Sequence, residues 1–353
     1  MSSARVLIVD DSLTMRALIS QILDGAEGVE VIGAAANADE ARAMMIALKP
    51  DVMTLDIEMP GMNGLDFLEE TMRDRPMPVV MLSTLTQKGA KASIEAARLG
   101  AVDSFPKPTS TSMEEFNRLK PKLVALVLAA ATGKVISTEE RHARRARRPA
   151  ASSNFRWNGK IIAIGGSTGG VEALFELLPR FPENCPPTVI VQQFGSGFTD
   201  ALIEELDSVT HAHVVPAVDG AQLEQGKIYI ATSELAHLVI DRWPDPCMRL
   251  LPAEPVNGRR PSIDLLFATC AKTARSNAIG IMLTGMGKDG AAGLKALRVS
   301  GARTIAQDQA TSVVYEAPAA AKAIGAVEVE LPLDAIASAA LESCREFAKN
   351  KAA

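Results

Sequence analysis

The chain has 353 residues, 47% of them hydrophobic and 22% charged, with a formal net charge of −5. That suits about two packed domains of roughly 150 residues each, and the acidic balance argues against nucleic-acid binding by the chain as a whole. No apolar run reaches the length of a membrane span, so no membrane insertion is expected. Met1-Ser2-Ser3-Ala4-Arg5 leads straight into a strand, so no signal peptide is expected. Cys185, Cys247, Cys270 and Cys344 stand far apart without a C-x-x-C pair. Buried free thiols in a cytoplasmic protein are expected, not a zinc or redox site.

Residues 1–130 alternate short apolar runs with helical spacing. Strands are predicted at Val6–Val9, Val29–Gly33, Val52–Leu55, Val79–Leu82 and Val102–Phe105. Between them, Thr14–Leu23, Asp39–Leu48, Gly64–Met72 and Gln87–Leu99 space apolar residues by three or four, and a last helix runs from Met113 to about Ala130. Five β/α repeats with unalternated strands imply a parallel sheet covered on both faces. Residues 132–158 break the rhythm: Glu139 and Glu140 precede Arg141, Arg144, Arg145, Arg147 and Arg148, then Pro149, Ala150, Ala151, Ser152 and Ser153. This reads as an exposed linker. A nucleic-acid patch is the alternative, but no aromatic residues interleave the arginines. From Gly159 the rhythm resumes. Strands are predicted at Ile161–Ile164, Thr188–Val191, Lys227–Ile230, Leu238–Ile240, Ile279–Leu283 and Arg303–Ile305. Helices are predicted at Gly170–Leu178, Thr199–Leu206, Ser262–Thr273, Ala291–Val299 and Leu333–Phe347. The fold class is α/β, with two doubly wound parallel-sheet domains.

Polar residues gather where the strands of the first half end. Asp10 and Asp11 follow the first strand, Asp56 ends the third, Ser83 and Thr84 the fourth, and Lys107 the fifth. Ligands of an open parallel sheet bind beyond the carboxyl ends of its strands. Carboxylates there would bind Mg²⁺, which would neutralise a phosphoryl donor while one carboxylate attacks phosphorus. One acid at a strand end is usually a helix cap; the whole set in order is far more specific. Residues 1–125 resemble a response-regulator receiver domain, flavodoxin-like in fold. The resemblance implies phosphorylation of Asp56 and Mg²⁺ held by Asp11, Asp56 and the Glu58 carbonyl, with support from Asp10. It also implies phosphoryl contacts from Ser83 and Lys107. Ser104 departs from the aromatic switch residue of many receivers.

Three loops of the second half lie between an apolar run and a helical pattern. The first is Gly165-Gly166-Ser167-Thr168-Gly169-Gly170, a G-x-S-x-G spacing. It reads as a nucleophile elbow with Oγ at a helix N-terminus, or as a phosphate loop or a plain tight turn. The second is Gln192-Gln193-Phe194-Gly195-Ser196-Gly197-Phe198, and the third Thr284-Gly285-Met286-Gly287-Lys288-Asp289-Gly290. Taken alone, Asp289 reads as the N-terminal cap of the helix at Ala291–Val299.

Together with Gly197-Phe198-Thr199, Pro255 to Asp264 and Ile305-Ala306-Gln307, these loops resemble the chemotaxis receptor methylesterase family (CheB) over nearly the whole chain. The resemblance implies a receiver at 1–125, a helix end and basic linker at 126–158, and a Rossmann-like three-layer esterase domain at 159–349. It implies hydrolysis of glutamate methyl esters, and deamidation of glutamines, on methyl-accepting chemotaxis receptors. The esterase would need no cofactor, a chemotaxis-type histidine kinase would be the phosphodonor, and the receiver would block the active site until phosphorylated. Ser167 would be the nucleophile and Asp289 the residue orienting the base, with backbone donors at Thr168 and Met286 as the oxyanion hole.

The family's histidine falls on Gln193, and Gly195 and Ser196 depart from the usual proline pair. An amide does not accept a proton near neutral pH. Gln193 can hold a water or position a carbonyl, but it is no general base. Loss of one triad member leaves roughly 10³–10⁴-fold catalysis over water, so a slow enzyme is expected unless another base serves. His142 lies in the linker, and His211 and His213 flank an edge strand. His237 and Lys288 are the substitute bases to consider, against a packing or surface role for each. The alternative function is a catalytically impaired regulator, a receptor-binding protein or phosphate sink. A receiver-linked transcription factor is a third reading, disfavoured because the output half carries no compact helix-turn-helix signal.

Overall fold

The computed structural model describes residues 3–84, 86–108, 112–146, 155–193, 198–231 and 235–346. Arg147, Arg148, Phe194, the Gly195-Ser196-Gly197 stretch and the expected helix end at Phe347 lie outside the described residues.

The first sheet is fully parallel, in the order β2-β1-β3-β4-β5. Its strands are β1 (Ala4–Val9), β2 (Val29–Ala35), β3 (Val52–Asp56), β4 (Val79–Ser83) and β5 (Asp103–Pro106). They alternate with α1 (Leu13–Leu23), α2 (Ala38–Leu48), α3 (Gly64–Asp74), α4 (Gln87–Leu99) and α5 (Met113–Thr132). Each helix begins behind a side-chain cap: Ser12, Asn37, Asn63, Thr86 and Ser112 each accept the backbone N–H three residues on. β3 and β4 are buried along their whole length, as strands covered on both faces must be.

The stretch read as an exposed linker is in part a helix, α6 (Thr138–Ala146), which packs against α3. Ser137 Oγ accepts the Glu140 N–H, and Glu139 and Glu140 sit in the first turn. This is the start of a capping box, S-x-x-E, outweighed in the linear reading by the arginine run. Arg141 is buried, and its guanidinium donates to the Ile136 carbonyl.

The second sheet is also parallel, in the order β14-β13-β12-β6-β7-β9-β8. Its strands are β6 (Ile161–Gly166), β7 (Thr188–Gln192), β8 (His213–Pro216), β9 (Lys227–Ile230), β12 (Ala278–Met282), β13 (Arg303–Gln307) and β14 (Val329–Leu331). The helices are α7 (Gly170–Leu177), α8 (Thr199–Val209), α9 (Ile263–Thr273), α10 (Ala291–Val299), α11 (Glu316–Ala323) and α12 (Leu333–Ser343). The strand predicted at Leu238–Ile240 exists as β10 (His237–Ile240), but it pairs antiparallel with β11 (Met248–Leu251) as a separate hairpin. β11, β14 and α11 carry no clear sequence signal. β14 is three half-buried residues, and α11 has no side-chain cap. The strand order reverses at β6, whose neighbours are β7 and β12, so the carboxyl ends of these three strands frame a crevice. No helix among the described residues is long and apolar enough to cross a membrane.

Candidate active site and phosphoryl-acceptor site

At the carboxyl edge of the first sheet, Asp10 and Asp56 are buried and Lys107 reaches both, 2.9 Å from Asp10 Oδ2 and 2.7 Å from Asp56 Oδ1. Carboxylate oxygens of Asp10, Asp11 and Asp56 lie within 4.8 Å of one another. Arg16 fixes this acidic turn by donating to the Asp10 and Asp11 carbonyls at 2.7 and 2.9 Å. The Glu58 N–H donates to Asp56 Oδ1, while Asp56 Oδ2 is buried with no hydrogen-bond partner among the described residues. Burial pushes the Asp56 carboxyl above the usual carboxylate range, against the pull of Lys107. Burial works to lower Lys107, but its hydrogen bonds to Asp56 and Asp10 hold the ammonium above its ordinary value. Ser83 is buried beside Asp56 in a small cleft also lined by Glu58, Thr84 and Gly89, and its Oγ donates to the Gly89 carbonyl at 3.1 Å. A cluster of hard oxygens with an unspent carboxylate oxygen suits an oxygen-seeking divalent cation.

At the crevice of the second sheet, backbone bonding continues past the strand ends. Gln193 N–H donates to the Gly166 carbonyl, Leu283 N–H to Gly165, and Ser167 N–H to Thr284 at 3.1 Å. These bonds bring the three loops together. Ser167 is 7% exposed, at the N-terminal side of α7. Its Oγ has no hydrogen-bond partner among the described residues, and neither do the N–H groups of Thr168 and Met286. Two of the glycines sit where a larger residue would strain the backbone or displace Gln192. Gly169 caps α7 at φ +78°, and a Cβ on Gly170 would stand 2.1 Å from Gln192 Oε1. Gln192 fills that space and donates to the Ser167 carbonyl at 2.8 Å.

Asp289 is not the cap of α10, whose N-cap is Gly290 with no side-chain hydrogen bond. Its carboxylate instead meets the N-terminus of α9. Oδ1 accepts from Ser262 Oγ (2.9 Å) and Asp264 N–H (3.1 Å), and Oδ2 accepts from Ile263 N–H (2.9 Å). The fourth donor is Gln193 Nε2, 2.6 Å from Asp289 Oδ2. Nε2 also lies 3.0 Å from the Pro261 carbonyl. Both partners only accept, so the amide nitrogen must face them and the two N–H groups are spent. Gln193 Oε1 is left as an acceptor with no partner among the described residues.

His237 is fully buried and holds the same helix start. Nδ1 accepts the Ser262 N–H at 3.1 Å, so Nε2 carries the proton and donates to the Glu254 carbonyl at 3.0 Å. Neither nitrogen is free to serve Ser167. Asp264 reciprocates the capping: its carboxylate accepts the Gly293 N–H of α10 at 2.7 Å. Burial lifts Asp264 above the usual carboxylate range, opposed by the Gly293 N–H and reinforced by the charge of Asp289.

Comparison with known proteins then decides the family. A family model described as CheB methylesterase matches residues 162–340, and one described as response regulator receiver domain matches residues 6–115. A protein of Agrobacterium fabrum named protein-glutamate methylesterase/protein-glutamine glutaminase is 50% identical over 333 residues, 94% of each chain. The chain belongs to the CheB methylesterase family. A Caulobacter vibrioides CheB relative with the same designation, numbered 1, is 48% identical, over 97% of this chain and 98% of its own. The solved CheB methylesterase catalytic domain of Thermotoga maritima is 34% identical with a TM-score of 0.51, covering 52% of this chain and 98% of that one. Within this CheB fold, Ser262 and Gln307 stand behind the three predicted loops, bonded to Asp289 and to the Thr284 N–H, although the linear reading assigned neither a part in chemistry; His237, weighed there as a substitute base, serves the start of α9 instead. Ser262, at least, was legible as the N-cap preceding α9.

Proposed function

We propose that the protein is a phosphorylation-regulated protein-glutamate methylesterase and protein-glutamine glutaminase, acting on chemotaxis receptors through Ser167. The observation that carries this reading is that, among the described residues, Ser167 Oγ and the Thr168 and Met286 N–H groups have no hydrogen-bond partner. Oγ attacks the γ-carbonyl of the methylated glutamate, and the two N–H groups take the developing oxyanion. Collapse breaks the acyl–oxygen bond of the methyl ester, or the acyl–nitrogen bond of a glutamine, and the leaving group takes a proton from water to depart as methanol or ammonia. Water then hydrolyses the acyl-Ser167.

Gln193 stands where the family's histidine stands and reproduces half of its role. Its N–H meets Asp289 as an imidazole Nδ1–H would, and its Oε1 offers an acceptor to the Ser167 hydroxyl or to a water. It takes no proton, so the proton of Oγ leaves to water or hydroxide. In the receiver, Asp11, Asp56 and the Glu58 carbonyl would hold Mg²⁺ with support from Asp10, and Ser83 and Lys107 would contact a phosphoryl group on Asp56. The cation would neutralise the charge of the incoming phosphoryl group. A histidine kinase of the chemotaxis type is the proposed donor.

The test is methanol release from methylated receptor, with and without a phosphodonor. Wild type should turn over slowly and Ser167→Ala not at all. Gln193→His should be faster by about 10²–10⁴-fold, the usual contribution of a positioned base. Wild-type turnover that Ser167→Ala leaves intact would refute the mechanism. No release from wild type in either state, restored by Gln193→His, would make the native protein a receptor-binding regulator instead.

A further inference from the structure

One buried residue, Thr284, meets the serine loop, and a second, Gln307, anchors it from behind, neither entering the chemistry above. Thr284 follows β12 and is fully buried. Its carbonyl accepts the Ser167 N–H at 3.1 Å. Its hydroxyl lies 3.1 Å from the Thr168 carbonyl and 3.0 Å from that of Val314, and accepts the Val314 N–H at 2.9 Å. A hydroxyl has one proton, so it serves one of the two carbonyls at a time. The third polar group of Thr284, its N–H, donates to Gln307 Oε1 at 2.8 Å. Gln307 ends β13, is 1% exposed, and is itself fixed by donating to the Thr311 carbonyl at 2.8 Å. Next along the chain, Gly285 donates to Val314 and accepts from Ala317, and a Cβ on it would stand 2.9 Å from Ser167 Cβ.

Every polar atom of Thr284 is therefore engaged, its carbonyl by the serine loop and its hydroxyl shared between that loop and Val314. The N–H groups proposed to take the oxyanion lie on either side of this joint: Thr168 follows Ser167 directly, and Met286 follows Thr284 by two residues. We propose that Thr284, anchored by Gln307, is a positioning residue that sets the separation of these two donors. The inference rests on Ser167 being the nucleophile. Oxyanion donors act only within about 2.7–3.1 Å of the oxygen position they serve, and a misplacement of about 1 Å costs about 10²-fold in rate. A hydroxyl bridging the two loops controls that distance without touching substrate.

The experiment measures kcat and KM for methanol release by the full chain and its variants. Thr284→Val keeps the shape and removes the hydroxyl. It should lower kcat about 10²-fold, as for a displaced oxyanion donor, with KM within about twofold. Thr284→Ser should recover most of the loss. Gln307→Met, which removes the acceptor for the Thr284 N–H, should also lower kcat selectively, and it carries the test should Thr284→Val not fold. Unchanged kcat in the folded variants, or a change confined to KM, overturns the proposal. If Ser167→Ala releases methanol as fast as wild type, the nucleophile assignment falls and this role with it. If Ser167→Ala is inactive while Thr284→Val matches wild type, only the positioning role falls.

Discussion

Gln193 is the residue on which the proposed chemistry turns. Its two N–H groups are tied to Asp289 and Pro261, so its orientation is as fixed as that of a triad histidine. What it lacks is a basic lone pair. The pH dependence follows. With no imidazole to titrate, wild-type turnover should climb with hydroxide concentration without a step near neutrality. Gln193→His should instead rise through a sigmoid centred near the imidazole value, about 6.5. A wild-type profile with that same sigmoid would mean another base serves. His237 is not that base, because its ring nitrogens are engaged with Ser262 and Glu254. His237→Leu should leave the Ser262 N–H unpaired and cost about 1–3 kcal/mol in denaturant unfolding, without altering the shape of the pH profile. Ser167 and Gln193 could both be named as candidates from the linear chain. The engagement of His237 was not, because its partners lie 17 and 25 residues away.

Helices α9 and α10 start beside one another and exchange caps. Asp289, just before α10, accepts three donors from the start of α9, and Asp264, in the first turn of α9, accepts from Gly293 of α10. Carboxylates at helix N-termini are favoured by the exposed N–H groups and the dipole. Proximity in sequence made Asp289 look like a local cap of α10. The αL backbone of Gly290 points the chain elsewhere, and the carboxylate is delivered across to α9. A linear reading cannot see such an exchange, since both ends obey the same capping preference. The raised Asp264 carboxyl gives a test. An acid whose folded-state pKa is raised holds its proton more tightly when folded, so its ionisation lowers stability. That loss develops as pH rises from the unfolded value, about 4, through the raised folded one. The melting temperature of Asp264→Asn should therefore gain on wild type across this window and hold a constant difference above it. A difference independent of pH would show that Asp264 ionises freely.

The whole molecule joins a phosphoryl-acceptor fold to a hydrolase fold, and the order of the two domains suggests control of one by the other. Asp56→Asn should abolish phosphodonor-stimulated methanol release and leave the basal rate intact. A fragment of residues 159–353 should show a higher basal rate than the full chain. Equal basal rates would remove the autoinhibition proposal.

The sequence by itself determined the α/β class and ten of the eleven predicted strands as members of the two parallel sheets, and it pointed to candidate residues at their ends, because repeated unalternated apolar runs separated by helical patterns favour parallel strands ending at a ligand edge. Tertiary structure alone decided which partner each polar group takes. It placed Asp289 on α9, closed His237 off from Ser167, set Gln307 behind Thr284, and folded part of the arginine stretch into α6. Periodicity reports which face of an element is buried. Hydrogen-bond partners depend on which strand ends the topology makes neighbours, and in this chain that pairing joins Leu283 to Gly165 and Thr284 to Ser167 and Thr168, more than a hundred positions apart.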